Sequence, residues 1–280
     1  MIRSNYHTHT AYCDGNSTAG DYAEYAISAG FHSIGFSGHG FVPFEEVYYG
    51  MNPETEARYR NTIISLKNQY RGRLDIYLGL ENDSVNMHPR EKYDYTIGSV
   101  HNILCGGRYY SVDSMAEIVS SLIAREFDGD GLAFAEAYFG AVRAFASENR
   151  ADILGHIDLV RRFNTSVEKG AADGGYKFFD ENSARYRRAA EAALEQAVRS
   201  GYIIEVSTGP LKKKISKETY PSDFLLKYAR SLGARVMVNS DAHYAGALNY
   251  AFDRAEAALR NAGFEERWEL SPGGFTPVLL

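Results

Sequence analysis

Two histidines one residue apart, His7-Thr8-His9, are the first residues of this 280-residue sequence able to hold a metal ion. Side chains at i and i+2 of an extended segment share a face. Both imidazoles can therefore grip one ion, at ~2.0–2.1 Å for zinc. On its own such a pair is more often a satisfied core or surface pair. Its weight comes from what stands further along. Gly38-His39, Glu81, His101, Gly155-His156 and Asp241-Ala242-His243 each follow directly on a short apolar run. Six runs thus end on His, Glu or Asp, and six of the eight histidines (His7, His9, His39, His101, His156 and His243) lie at such ends; His32 and His88 do not. Unrelated polar loop residues would not repeat in type and place this way. Four ligands complete a tetrahedral site, so six imidazoles with several carboxylates exceed what one ion can use. Hydrolases of phosphate esters often set two ions ~3.5–4 Å apart to clamp the attacking and leaving oxygens. A carboxylate such as Glu81 can bridge two ions and offset their repulsion. The residues point to a multinuclear metallohydrolase.

The elements that must position these residues alternate along the chain. Strands are expected at Ile2–Tyr6, Ser33–Ser37, Asp75–Leu80, Tyr95–Val100, Ala151–Gly155, Tyr202–Ser207 and Arg235–Ser240. Between and after them, helices are expected at Thr18–Ala29, Pro53–Tyr70, Ser114–Phe127, Ala133–Asn149, Asn182–Ser200, Pro221–Leu232 and Ala247–Ala262. Thr18 suits an N-cap, and Gly30, Gly201, Gly233 and Gly263 stand just past helix ends. A loop runs through His39–Tyr49. Strand, crossover and strand recur at βαβ spacing. With no linker or repeat, residues 1–280 read as one α/β domain, and about seven strands suit a barrel. Catalytic residues of such barrels gather at the C-terminal strand ends, where the histidines and acids of this chain fall.

Composition narrows the function classes. Hydrophobic residues make up 45% and charged residues 24% of the chain, the mix of a globular protein rather than a disordered one. The formal net charge is −6, a poor start for a nucleic-acid binder, which needs a basic face to displace counterions. No apolar run reaches the ~18–20 residues of a membrane span. Met1-Ile2-Arg3-Ser4-Asn5-Tyr6-His7 lacks a signal peptide's apolar stretch, and two cysteines, Cys13 and Cys105, cannot build a disulfide framework. A cytoplasmic enzyme acting on an anionic or small-molecule substrate is the expectation.

The run His7-Thr8-His9-Thr10-Ala11-Tyr12-Cys13-Asp14-Gly15 resembles the opening motif of the PHP (polymerase and histidinol phosphatase) superfamily. The resemblance continues in order through Ser37-Gly38-His39, Gly79-Leu80-Glu81, Gly98-Ser99-Val100-His101, Gly155-His156-Ile157-Asp158 and Asn239-Ser240-Asp241-Ala242-His243. It covers nearly the whole chain. The opening run, Ile157-Asp158-Leu159-Val160 and Tyr220-Pro221-Ser222 look most like the histidinol-phosphatase branch. The resemblance implies a distorted (β/α)7 barrel with three divalent ions (Zn, Fe or Mn) at its mouth. His7, His9, Glu81 and Asp241 would hold the first ion. Glu81 would bridge to a second, completed by His101 and His156. Asp14, His39 and His243 would hold the third. The implied reaction is phosphomonoester hydrolysis, with L-histidinol phosphate the substrate the branch suggests; another small phosphate ester or a nucleotide is the alternative, and a non-catalytic metal-binding module is a weaker one.

The sequence departs from the pattern in places. Gly38 stands where an acidic residue often precedes the histidine, and Glu81 is followed by Asn82-Asp83 rather than an apolar residue. Gly209-Pro210-Leu211-Lys212-Lys213-Lys214 occupies the place of a Gly-Leu-Arg segment, so lysine, a point charge, replaces a guanidinium that forks onto phosphate. Water activated between two ions (pKa falling from ~15.7 towards ~7) would attack phosphorus in line. Asp241, His243 or a further water would protonate the leaving oxygen. Arg161, Arg162, Lys212 and Lys213 are the candidate phosphate-binding cations, although Lys212–Lys214 reads equally as a solvated charge run. Arg108 belongs to a glycine-rich turn and is a weaker candidate, and Cys13 reads as packed rather than nucleophilic.

Overall fold

The structure, a computed structural model, describes residues 1–43, 49–148, 151–164, 176–212 and 216–280. In chain order its strands are β1 (Ser4–Asn5), β2 (Ser33–Phe36), β3 (Asp75–Asp83), β4 (Tyr95–Ser99), β5 (Asn102–Cys105), β6 (Arg108–Ser111), β7 (Ile153–Leu154), β8 (Ile203–Ser207), β9 (Arg235–Asn239), β10 (Glu266–Ser271) and β11 (Gly274–Leu279). Its helices are α1 (Ala19–Ser28), α2 (Pro53–Gln69), α3 (Ala116–Glu126), α4 (Gly131–Ser147), α5 (Ala184–Arg199), α6 (Gly209–Lys212), α7 (Asp223–Ser231) and α8 (Phe252–Asn261). Seven strands form one parallel sheet in the order β1-β2-β3-β4-β7-β8-β9. A parallel bridge between Thr8 and Ala242 brings its two edges together, with His9 N–H donating to Ala242 O at 2.8 Å and Ala242 N–H to His7 O at 3.1 Å. Just before it, Asn239 Oδ1 accepts from Tyr6 N–H at 2.8 Å, a side chain standing in for backbone pairing. The result is the distorted (β/α)7 barrel expected from the sequence.

Two apolar clusters hold it. The outer one joins the strands to the helices, including Tyr22, Ala23 and Ala26 of α1, Tyr59 and Ile63 of α2, and Tyr138, Phe139 and Val142 of α4. The inner one comprises Tyr6, Tyr77, Tyr95, Ile97, Ile153, Ile203, Met237 and Leu270, with Trp268 and Phe275 of the β10–β11 hairpin packed below. Strand residues two apart share a face. The inward series therefore run from apolar to polar: Tyr77-Gly79-Glu81, Ile203-Glu205 and Met237-Asn239. The barrel floor is hydrophobic and its mouth is ionisable. Tyr95 explains two glycines: a Cβ on Gly35 would lie 2.3 Å from its hydroxyl, and one on Gly79 2.3 Å from its Cζ. That hydroxyl donates to Tyr6 O at 2.5 Å, fixing the backbone one residue before His7.

Several expected boundaries shift for physical reasons. β3 continues past Leu80 to Asp83 because β4 pairs with Gly79–Asp83, so Glu81 lies within a strand rather than after one. α4 starts at Gly131 because Asp130 accepts from Leu132 and Ala133 N–H; the expected end at Asn149 lies outside the described residues. α8 begins at Phe252, five residues late: Ala245–Ala247 is a 3-10 turn and Ala251 is left-handed, at φ 55°. The hairpins β5–β6 and β10–β11 were not expected, although Gly106-Gly107 and Pro272-Gly273-Gly274 mark their turns.

Candidate metal centre

The strand-end residues expected to hold metal meet at the barrel mouth. Three sets of potential ligand atoms lie within 4.8 Å of one another: His9, Asp14, His39 and His243; His7, His9 and Glu81; and His39, Glu81 and His101. Glu81 is the hub. Its Oε2 lies 3.2 Å from His7 Nε2, 3.5 Å from His9 Nε2 and 2.9 Å from His39 Nδ1. Its Oε1 lies 3.1 Å from His156 Nε2 and 3.5 Å from His101 Nε2, and accepts from Ser99 Oγ at 2.6 Å. Asp241 Oδ1 approaches His9 Nε2 at 3.1 Å and His7 Nε2 at 3.6 Å. At the outer side, Asp14 Oδ2 lies 3.1 Å from His243 Nε2 and 3.7 Å from His39 Nε2. The structure thus brings together all nine residues that the sequence suggested as ligands.

The backbone makes this possible. His7 and His9 flank Thr8, whose hydroxyl donates to Gly35 O at 2.8 Å and whose outward placement turns both imidazoles the same way. Gly15 lies so close under His9 that a Cβ there would come within 2.3 Å of His9 O, and the tight turn returns Asp14 toward His9 Nδ1 at 3.5 Å. Asp241 takes a left-handed conformation, φ 49°, which Asp tolerates better than most residues.

The chemistry of the donor set calls for a bound cation. His7 Nε2, His9 Nε2 and Glu81 Oε2 are buried and lack hydrogen-bond partners. His7 Nδ1 donates to Glu205 Oε1 at 2.6 Å, so in neutral His7 the Nε2 atom presents a lone pair to the Glu81 oxygen 3.2 Å away. Two acceptors at that distance need a positive charge between them, a proton or a metal ion. Burial, aided by the neighbouring His39 and His243 rings, lowers the His9 pKa to about 4. His9 is then neutral with one proton, yet both its nitrogens face carboxylates. Burial pushes the Glu81 carboxyl up, but His7, His39 and His101 together hold it well below the usual range. Burial likewise lowers His101, and the carboxylates of Glu81 and Asp83 outweigh it, raising its pKa to about 10. Imidazole and carboxylate donors in these numbers fit a site for more than one divalent ion, without selecting zinc, iron or manganese.

Two carboxylates in this network were missed. Glu205 is fully buried in β8, and Asp83 accepts from His101 Nδ1 at 3.0 Å and from Asn102 Nδ2 at 3.1 Å. The signals were a lone glutamate inside the apolar run Ile203–Ser207, and an aspartate two residues after Glu81 on the same strand face. Tyr49 also escaped notice. Its ring centre lies 4.7 Å from that of His39, forming part of the wall.

The expected phosphate-binding cations are placed differently. Arg161 lies in a buried 3-10 turn, Leu159–Phe163, where Asp158, Glu181 and Glu218 engage its guanidinium at 3.1, 2.6 and 2.8 Å. Arg162 faces Asp113 at 3.6 Å. Lys212 ends α6 with Nζ 3.9 Å from the centre of the Tyr244 ring. The start of that helix is close to the cluster, because a Cβ on Gly209 would sit 3.3 Å from Asp241 Oδ2. Lys213 lies outside the described residues. Among the described residues, no helix is long and apolar enough to cross a membrane.

Comparison with known proteins identifies the family and the fold. The family profile of the PHP domain matches residues 5–209. The Deinococcus radiodurans protein named "Probable histidinol-phosphatase" is 28% identical over 270 residues, covering 92% of both chains. The histidinol-phosphatase of Bacillus subtilis is 27% identical over 278 residues, covering 90% of this chain and 98% of its own. The fold matches that of the histidinol phosphate phosphatase of Lactococcus lactis, solved with zinc, L-histidinol and phosphate, with a TM-score of 0.73, 19% identity and 98% of each chain covered.

Proposed function

Since the chain belongs to the PHP domain family, we propose that it is a metal-dependent phosphomonoesterase that hydrolyses L-histidinol phosphate to L-histidinol and phosphate. The observation that carries the reading is the convergence of buried His7, His9 and Glu81 with the partly exposed Asp241, with their facing lone pairs, at one barrel mouth. The histidinol-phosphatase names of full-length relatives support the choice of substrate. Under this reading His7, His9, Glu81 and Asp241 hold one ion, Glu81 with His101 and His156 a second, and Asp14, His39 and His243 a third. Bound divalent ions supply hydroxide at neutral pH and neutralise charge on the phosphoryl oxygens.

The chain's own side chains do the rest. Glu81 keeps its charge at neutral pH and holds five imidazoles around one carboxylate. Asp14, His243 and Asp241 are the more open members of the set, with side chains 33%, 22% and 17% exposed. The leaving ester oxygen would take its proton from Asp241, from His243 or from a water at the site. Lys212, at the end of α6 whose start lies beside Asp241, offers its charge to the phosphate. Lysine in place of a forked guanidinium favours a looser grip on phosphate, which keeps another small phosphate ester as the second reading.

The test is a panel of phosphomonoesters with metal-replete protein. L-Histidinol phosphate should give the highest kcat/KM, and activity should vanish on chelation. A better substrate elsewhere in the panel overturns the specific name. Turnover that persists after complete metal removal overturns the mechanism.

A further inference from the structure

Glu205 is placed to control how His7 meets a metal ion. It is wholly inaccessible and comes from the middle of β8, one inward position above Ile203. Its Oε1 accepts from His7 Nδ1 at 2.6 Å and from Asn239 Nδ2 at 3.0 Å. Its Oε2 accepts from the backbone N–H of His156 at 2.8 Å. One carboxylate of β8 thus joins β9 and the segments that leave β1 and β7 at the level of the cluster. Four acceptor directions are available and three are taken, all by donors, so the group is satisfied as an anion. No cation of a lysine or arginine side chain is among these partners.

Resting on the metal-site reading above, we propose that Glu205 is a positioning residue of the metal centre. By taking the Nδ1 proton of His7 it fixes the tautomer that turns the Nε2 lone pair toward Glu81 and Asp241. A carboxylate behind a ligating imidazole fixes ring orientation and increases its basicity, and losing such a partner typically lowers metal affinity ~10–100-fold. Asp83 stands behind His101 Nδ1 in the same relation, at 3.0 Å. The Glu205 pairing is shorter and bears on the inner set, where His7, His9 and Glu81 meet. In Glu205→Gln the amide can still accept from His7 Nδ1 with its oxygen. Its NH2 then faces the His156 N–H, donor against donor.

Two measurements test this. In zinc-loaded wild-type protein carrying 15N-labelled histidine, long-range 15N–1H correlation reads the His7 tautomer directly. The expected result is a proton on Nδ1 and zinc on Nε2; the reverse assignment overturns the proposal. Zinc affinity is then measured by competition with a chelator for wild type, Glu205→Gln, His7→Ala and the double variant. Glu205→Gln should bind ~10–100-fold more weakly, and the double variant no more weakly than His7→Ala, because Glu205 acts through that ring. Unchanged affinity in Glu205→Gln, or losses that add in the double variant, overturns it. Glu269→Gln, which removes another buried glutamate at the opposite end of the barrel, should leave affinity within twofold. If wild type binds no zinc, the metal-site reading itself has failed, an outcome distinct from wild-type binding that Glu205→Gln leaves intact. The tautomer measurement needs no variant to fold.

Discussion

Replacing Tyr95 by phenylalanine tests how the barrel floor sets the position of His7. The side chain is fully buried and its hydroxyl donates to Tyr6 O at 2.5 Å. The substitution removes the donor without changing the ring that fills the space above Gly35 and Gly79. A buried carbonyl left unpaired costs ~1–3 kcal/mol. An unfolding entropy of about 2.1 cal/mol/K per residue gives ~0.6 kcal/mol/K for a chain of 280 residues, so the expected fall in Tm is about 2–5 °C. The assay is thermal unfolding followed by circular dichroism, in excess chelator, so that metal binding does not mask the change. Tyr95→Ala is the comparison: it loses the donor and opens a cavity, and a loss of ~3–5 kcal/mol is expected. An unchanged Tm in chelated Tyr95→Phe would refute the reasoning, because the Tyr6 carbonyl would then have no need of this hydroxyl. A loss as large as that of Tyr95→Ala would refute it too, since packing rather than the hydrogen bond would be responsible.

Other outcomes follow from the same geometry. Metal at about one hundred times its dissociation constant should stabilise the chelated protein by ~2.7 kcal/mol, a rise in Tm of roughly 5 °C, read by the same melt. His9→Ala should lower the metal content found by elemental analysis, because His9 belongs to two of the three ligand sets; an unchanged ion count would remove it from the site. Lys212→Ala should raise KM for the phosphate ester ~10-fold or more, the loss of a charged hydrogen bond, with kcat nearly unchanged; an unaltered KM would place phosphate elsewhere. Burial pushes Glu269 up, but His32, Ser4 and Arg267 together lower its pKa from 4.5 to about 2. Its contribution, at most on the order of 3 kcal/mol, is present above pH 4.5 and lost as pH falls through about 2. Urea unfolding of Glu269→Gln should show a shallower acid limb over that window, and wild-type slope would contradict it.

The metal centre was legible because its chemistry is written in residue types that rarely end strands. His39, His101, His156 and Asp241 each close a run whose apolar character alone predicts burial. The partners behind them were harder to see. Glu205 is one acidic residue inside a strand, and only three-dimensional closeness to His7, 198 positions away, gives it meaning. The same is true of Arg161. Sequence placed it beyond a strand end, yet its carboxylate partners Glu181 and Glu218 come from segments that no local pattern links to it. Helix starts were legible where the cap lay in the sequence, as with Thr18, whose side chain accepts from Asp21 N–H. The start of α8 was obscured because Ala251 is left-handed despite having no sequence signal for it. Both hairpins escaped because two-stranded ribbons are set by glycine turns and by what they cover, not by strong strand periodicity.

The bridge between Thr8 and Ala242 makes the site a seam between the first and last strands of the barrel. During synthesis, His7 and His9 leave the ribosome more than two hundred residues before Asp241 and His243 do. Until the late strand arrives, the early imidazoles lack the carboxylate and imidazole that the closed barrel places beside them. Under the proposed assignment, ion capture by the full set would report that the ring has closed, and the cation would serve as a clasp across the seam.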